Sequence, residues 1–268
     1  MDKFQEVIMN KLVKLTGVSV AALSAALYAA SVTETLAQDI TKSSDLEGFT
    51  KVQLNTSSDI NIKMGSSYSI EMVGDEERIG NTVLEMKDDT LKIKHKKGRF
   101  NYDSDQDMEV FIVMPNIESM QINGSGDADI EGVDNSSLAL NVNGSGDIFV
   151  KGQSEELDIS INGSGNISMG EVMGKDVEIS INGSGDVELD GGTCQSLEID
   201  IHGSGDVEAK DMQCQDVNVE VAGSGDTEVY ASNSLTFDSH GSGNVEVYGK
   251  PQTVIDHEAK RRSKIRIH

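Results

Sequence analysis

Apolar and polar positions alternate around a recurring corner over residues 117–249. Gly-Ser-Gly occurs seven times, beginning at Gly124, Gly144, Gly163, Gly183, Gly203, Gly223 and Gly241, at intervals of 20, 19, 20, 20, 20 and 18 residues. Two positions before the first glycine stand Ile122, Val142, Ile161, Ile181, Ile201, Val221 and Ser239. Four positions before it stand Met120, Leu140, Ile159, Ile179, Ile199, Val219 and Phe237. Four positions after it stand Ala128, Ile148, Ile167, Val187, Val207, Thr227 and Val245. The residues between these columns are mostly polar. A period of two, rich in β-branched residues, specifies strands with one buried face.

One strand–corner–strand unit cannot cover its own apolar side. Stacked units merge their columns into a continuous core. The predicted fold is therefore all-β: a parallel β-helix of coils about 20 residues long, with rungs about 4.8 Å apart. A helical reading fails because the alternation is strict and glycine recurs inside each segment. A propeller is disfavoured because its repeats run to about 40 residues. The corner glycines supply positive φ and leave room for stacked backbone. The serines between them are expected to form a hydroxyl ladder. Asn123, Asn143, Asn162 and Asn182 precede the corner and are expected to form an amide ladder, which gives way to His202, Ala222 and His240.

Residues 38–116 lack the corner but keep the alternation. Strands are predicted over 51–54, 59–63, 69–73, 83–86, 90–94 and 108–114, with an exposed loop over 94–107. This half is read as irregular first coils that cap the start of the solenoid, with a separate small β-domain as the alternative. Residues 1–37 read as a signal peptide: Lys3, Lys11 and Lys14, then the apolar run Leu15–Ala30, then small residues ending at Ala37. The run is short for a bilayer span, which takes about 20 residues. Residues 250–268 form a basic C-terminal cap segment.

Charge narrows the partners. The chain holds 22 Lys and Arg against 46 Asp and Glu, a net charge of -24. Residues 117–249 alone carry 26 acidic and 3 basic side chains. That balance opposes nucleic acid, anionic lipid and acidic polysaccharide. With aromatics at 4% and no Trp, sugar-stacking platforms are not expected.

The acidic residues fall in columns. Directly after each corner stand Asp127, Asp147, Asn166, Asp186, Asp206, Asp226 and Asn244. Two positions on, Glu188, Glu208 and Glu228 continue a second outward column. Asp186, Asp206, Asp226, Glu188, Glu208 and Glu228 are the candidate metal ligands, for weak Ca²⁺ binding through oxygen. The competing reading is a solvated face. Charges about 4.8 Å apart in water repel by only about 0.9 kcal/mol, so no metal is required. No other cofactor is expected.

No catalytic set emerges. A serine present in every coil serves the coil. Asp238, Ser239 and His240 are sequence neighbours that a strand sends to alternate faces. His202 and His240 lie two coils apart, too far to share one zinc. The two cysteines, Cys194 and Cys214, each stand nine positions before a corner, so they share a column in adjacent coils. A disulfide and a stacked thiol pair both fit that placement.

The segments GFTKVQLNTSSDINIKMG, DDTLKIKHK and MEVFIVMPNIESMQINGSGD resemble the GIN-domain family, described as a "putative autotransporter adhesin head". The resemblance runs from Ser44 to Gly249. It implies β-helical coils and a protein of the bacterial envelope, periplasmic or at the cell surface, and it carries no established catalytic residues. With the crossover preference, it also implies a right-handed helix. The 19 residues after Gly249 are too few for a transport barrel. The expected function is an exported, non-catalytic scaffold or adhesin-like module whose partner is an envelope or extracellular protein or glycan. A Ca²⁺-dependent surface protein and a β-helical glycan-active enzyme are the alternatives.

Overall fold

The computed structural model describes residues 39–98, 107–257 and 265–268. The expected signal segment lies outside the described residues, as do residues 99–106 of the expected loop and 258–264 of the C-terminal segment. The first elements are β1 (Asp39–Ser44), β2 (Lys51–Asn55), β3 (Asp59–Met64), β4 (Ser69–Asp75), α1 (Glu76–Gly80), β5 (Thr82–Lys87), β6 (Thr90–His95) and β7 (Met108–Met114). The corner-bearing part supplies β8 (Ser119–Gly124), β9 (Ala128–Asn135), β10 (Leu138–Gly144), β11 (Ile148–Ser154), β12 (Leu157–Gly163), β13 (Ile167–Met173) and β14 (Asp176–Gly183). It continues through β15 (Val187–Gly203), β16 (Val207–Gly223), β17 (Thr227–Ser239) and β18 (Val245–Tyr248), and the chain ends with β19 (Thr253–Asp256) and β20 (Ile265–Ile267).

These strands wind a β-solenoid of about seven turns. Strands before the corners stack in parallel as β8, β10, β12 and β14, followed by the second halves of β15, β16 and β17. Strands after the corners stack as β9, β11 and β13, the first halves of β15, β16 and β17, and then β18. The register follows the corner alignment: Val177 meets Leu197, Ile179 meets Ile199 and Ile181 meets Ile201. All inward columns join one hydrophobic cluster from Phe49 to Val247. Each repeat's apolar face is thus covered by its neighbours, as the period-two pattern requires.

The amino-terminal half is laid down out of sequence order. β2 and β3 form a coil of their own, with Thr56-Ser57-Ser58 as its corner. That coil stacks directly against β8 and β9. The chain then passes outward, so that β6 covers β2 and β7 covers β3. β5 runs antiparallel to β6, β4 antiparallel to β7, and β1 antiparallel to β4. Among the described residues, the outermost strands of this end, β1 and β5, each pair on one side only.

All six strands predicted here are present within one or two residues. β1, α1 and the out-of-sequence layer order are features that the alternation did not specify. The short α1 is held by Asp75, whose side chain accepts from the amides of Glu77 at 2.9 Å and Arg78 at 3.1 Å. Arg78 in turn donates from Nη2 to Ser57 Oγ at 2.8 Å, tying the helix to the first corner.

Candidate functional site

The corners explain why the motif repeats. Gly183 and Gly203 both have φ of 144°, a conformation that side chains with a Cβ rarely adopt. A Cβ on Gly183 would sit well inside 3.0 Å of the Gly163 carbonyl oxygen, and one on Gly185 inside 3.0 Å of Gly165. Both glycines of each corner are therefore required: the first by torsion and contact, the second by contact alone. The same positive φ holds at Gly124, Gly144, Gly163 and Gly223. Gly241 is the exception to the expected torsion. Its φ is not positive, and contact with the Gly223 carbonyl alone forbids a side chain there. The serine amides donate to the first glycine of the preceding coil, as from Ser184 to Gly163 and from Ser204 to Gly183, each at 2.8 Å.

The Asp column has a defined structural task. Each side chain accepts the main-chain amide of its counterpart one coil on: Asp59 from Asp127 at 3.0 Å, Asp127 from Asp147 at 2.8 Å and Asp147 from Asn166 at 2.7 Å. The series continues with Asn166 from Asp186, Asp186 from Asp206 and Asp226 from Asn244, each at 2.9 Å, and Asp206 from Asp226 at 2.7 Å. At the corner the sheet ladder shifts, and the amide that follows is served by the next coil's carbonyl, as from Val187 to Asp206 at 2.9 Å. The side-chain oxygen thus satisfies an amide at the break in the ladder. Asn replaces Asp at 166 and 244 without losing the acceptor.

A second ladder runs beside it. Asn123 donates to Asn55 at 2.8 Å, Asn143 to Asn123 at 3.0 Å and Asn162 to Asn143 at 3.1 Å. The ladder therefore begins at Asn55, in the coil without a Gly-Ser-Gly corner. Among the described residues its hydrogen bonds stop at Asn162, short of the expected Asn182; further along the column, His202 Nδ1 pairs with Asp200 at 2.9 Å and His240 Nδ1 with Asp238 at 3.5 Å. Ser239 faces the core between Asp238 and His240, so these three residues form no triad.

The Glu column is bridged by lysine. Lys210 bonds both Glu208 and Glu228, the latter at 3.0 Å, and these partners hold its ammonium well above the ordinary lysine range, Glu208 first. Asp186, Asp206, Glu188 and Glu208 line a shallow furrow of about 430 Å³. Among the described residues, no three His, Cys, Asp or Glu side chains converge as metal ligands. Near the other end, Asp59, Glu109, Asp127, Asp129 and Asp147 gather beside Phe149. Crowding has a consequence there: burial first, and then the neighbouring carboxylates, raise the Asp59 carboxyl above its usual range. The structure joins Cys194 to Cys214 across adjacent coils, with Cα atoms 4.4 Å apart.

Sequence columns located the corners, the Asp and Glu series and the cysteine pair. They did not show that the Asp oxygens serve main-chain amides, because a side-chain pattern carries no trace of the backbone groups it must satisfy.

The profile of the family described as "Putative auto-transporter adhesin, head GIN domain" matches residues 48–251. No curated protein matches. Among solved structures, the chain is similar to a putative adhesin from Parabacteroides merdae, with 19% identity, a TM-score of 0.75, and 86% of this chain and 96% of that one covered. It is also similar to a putative lipid binding protein from Parabacteroides distasonis, with 23% identity, a TM-score of 0.72, and coverage of 84% and 96%. A putative adhesin from the same organism gives 18% identity, a TM-score of 0.74, and coverage of 85% and 96%. At these identities the likeness is one of fold.

Proposed function

We propose, because this chain belongs to the GIN-domain family, that it is an exported, non-catalytic, adhesin-like interaction module of the bacterial cell envelope. One observation carries this reading. Much of the recurring polar surface is engaged within the coils: Asp oxygens with main-chain amides, Asn143 with Asn123, and Glu208 and Glu228 with Lys210. Catalysis needs a constellation that departs from the repeat, with a nucleophile or acid–base pair held around a substrate. Asp186, Asp206 and Asp226 are held in a structural role instead. What the fold offers is a stack of regular coils with long outward strand faces, a shape suited to recognition over an extended surface.

The test uses residues 39–268, immobilised and exposed to the envelope fraction of the source bacterium and to its isolated envelope glycans. Saturable, reversible retention of a defined component supports the reading. Turnover of a glycan without retention replaces it with the enzyme alternative.

A further inference from the structure

Away from the acidic columns, on the side of the coil that carries the disulfide, the surface changes character. Thr193, Gln213 and Tyr230 pair across three successive rungs. Two positions further along each rung stand Gln195, Gln215 and Ser232. Between the two rows, Cys194, Cys214 and Ala231 turn inward and are buried. The two rows therefore flank a shallow furrow of about 350 Å³ that runs along the solenoid axis. We propose that this furrow is a binding site for a neutral oligosaccharide.

Three features point that way. The first is charge: no Asp, Glu, Lys, Arg or His lines the furrow, although residues 117–249 hold 26 acidic and 3 basic side chains. The second is unused hydrogen-bonding capacity. Gln195, Gln213 and Gln215 are exposed, and among the described residues their side chains have no hydrogen-bond partner. A primary amide both donates and accepts, which matches the hydroxyl groups of a sugar. The third is the aromatic continuation of the first row. Tyr230 pairs with Tyr248 on the next rung, and Tyr248 stacks on His268 with ring centroids 4.8 Å apart. Rings with a polar edge give an apolar face for a sugar ring and a hydrogen-bonding group beside it.

The low aromatic content argues against a broad platform; Tyr230 lines this furrow and Tyr248 continues its row, while Phe149, the other outward aromatic of these coils, lies beside the acidic cluster. A ligand spanning three rungs crosses two spacings of about 4.8 Å and so extends about 10 Å, the scale of a short oligosaccharide. An extended peptide fits less well, because strand addition needs an open sheet edge. The rungs under this furrow are paired on both sides, Thr193 with Met173 and Gln213, and Tyr230 with Gln213 and Tyr248.

This inference stands on the furrow and not on the adhesin reading. The test is an array of neutral di- to tetrasaccharides of glucose, galactose, mannose, xylose and N-acetylglucosamine, printed beside sulfated glycans, uronate glycans and neutral peptides. Hits are titrated with the wild-type chain, with Gln213→Ala/Gln215→Ala, and with Glu188→Gln on the acidic face as control. A neutral oligosaccharide is expected to bind with little dependence on salt. The double variant should weaken it about tenfold, as loss of two hydrogen bonds implies, with the melting temperature and the control unchanged. Absence of any neutral hit, or hits confined to charged glycans or peptides, overturns the proposal. Neutral binding that ignores the double variant removes this site while leaving the adhesin reading intact.

Discussion

The main-chain amide of Asp206 donates to Oδ1 of Asp186 at 2.9 Å, one coil away. The bond recurs from Asp59 to Asn244, and it recasts the acidic column as a hydrogen-bonded seam. Negative charge is a by-product of that seam, since Asn166 accepts the Asp186 amide equally well.

The corner glycines set the sharpest steric limit. Gly183→Val should cost several kcal/mol, because the new side chain meets both a positive φ and the Gly163 carbonyl. Ser184 is exposed, and Ser184→Ala should change stability by no more than about 0.5 kcal/mol. Urea melts of the two variants check this. Equal midpoints for Gly183→Val and wild type would contradict the stacked corner.

Thr227 breaks an apolar column. It is 0% exposed, and among the described residues its Oγ1 has no hydrogen-bond partner, whereas Val207 and Val245 occupy the neighbouring rungs. Thr227→Val keeps the shape and removes an unsatisfied hydroxyl. It should raise stability by about 1 kcal/mol. A lower urea midpoint would mean that the hydroxyl has a partner.

The link between Cys194 and Cys214 closes a separation of 20 residues. In the chain-entropy account such a loop is worth about 3 kcal/mol. Reduction should lower the melting midpoint accordingly, and thiol titration of the denatured, unreduced exported protein should find no free thiol. Two free thiols would show that the pair stands as stacked cysteines.

The solenoid was legible because Ile179, Ile199 and Val219 hold one column with little deviation, and period two admits few other folds. The amino-terminal layer order was not. Thr56-Ser57-Ser58 takes a corner's place without its glycines, so nothing in the residue pattern aligned β2 and β3 with β8 and β9. The furrow was hidden for a different reason. Counting from the corners sets Tyr230 against Lys210, but the chain bulges between Ala209 and Gln213, and Tyr230 meets Gln213 instead. An irregularity of this kind moves side chains between columns with no signal in the spacing.

Asp59 provides a pH test. Its folded carboxyl titrates above the usual range, chiefly through burial and then through neighbouring acids. A raised folded pKa means that ionisation disfavours the fold. This group's contribution is present below the unfolded pKa of about 4 and is lost as pH rises through the folded value. Asp59→Asn keeps an acceptor for the Asp127 amide and removes the charge. It should melt higher than wild type near neutrality, with the difference vanishing as pH falls below about 4. A variant less stable than wild type at neutral pH would contradict this.

The most direct measurement compares Asp206→Asn with Asp206→Ala in thermal and urea melts, with and without Ca²⁺, against NaCl of matched ionic strength. If Asp206 serves chiefly to accept the Asp226 amide, Asp206→Asn should melt at or above wild type. Asp206→Ala should lose about 1–2 kcal/mol by orphaning that amide. Ca²⁺ should then add nothing beyond salt. Equal destabilisation of Asn and Ala, with a saturable Ca²⁺ stabilisation seen only in wild type, would make the carboxylate's charge the essential feature and contradict the hydrogen-bonded seam.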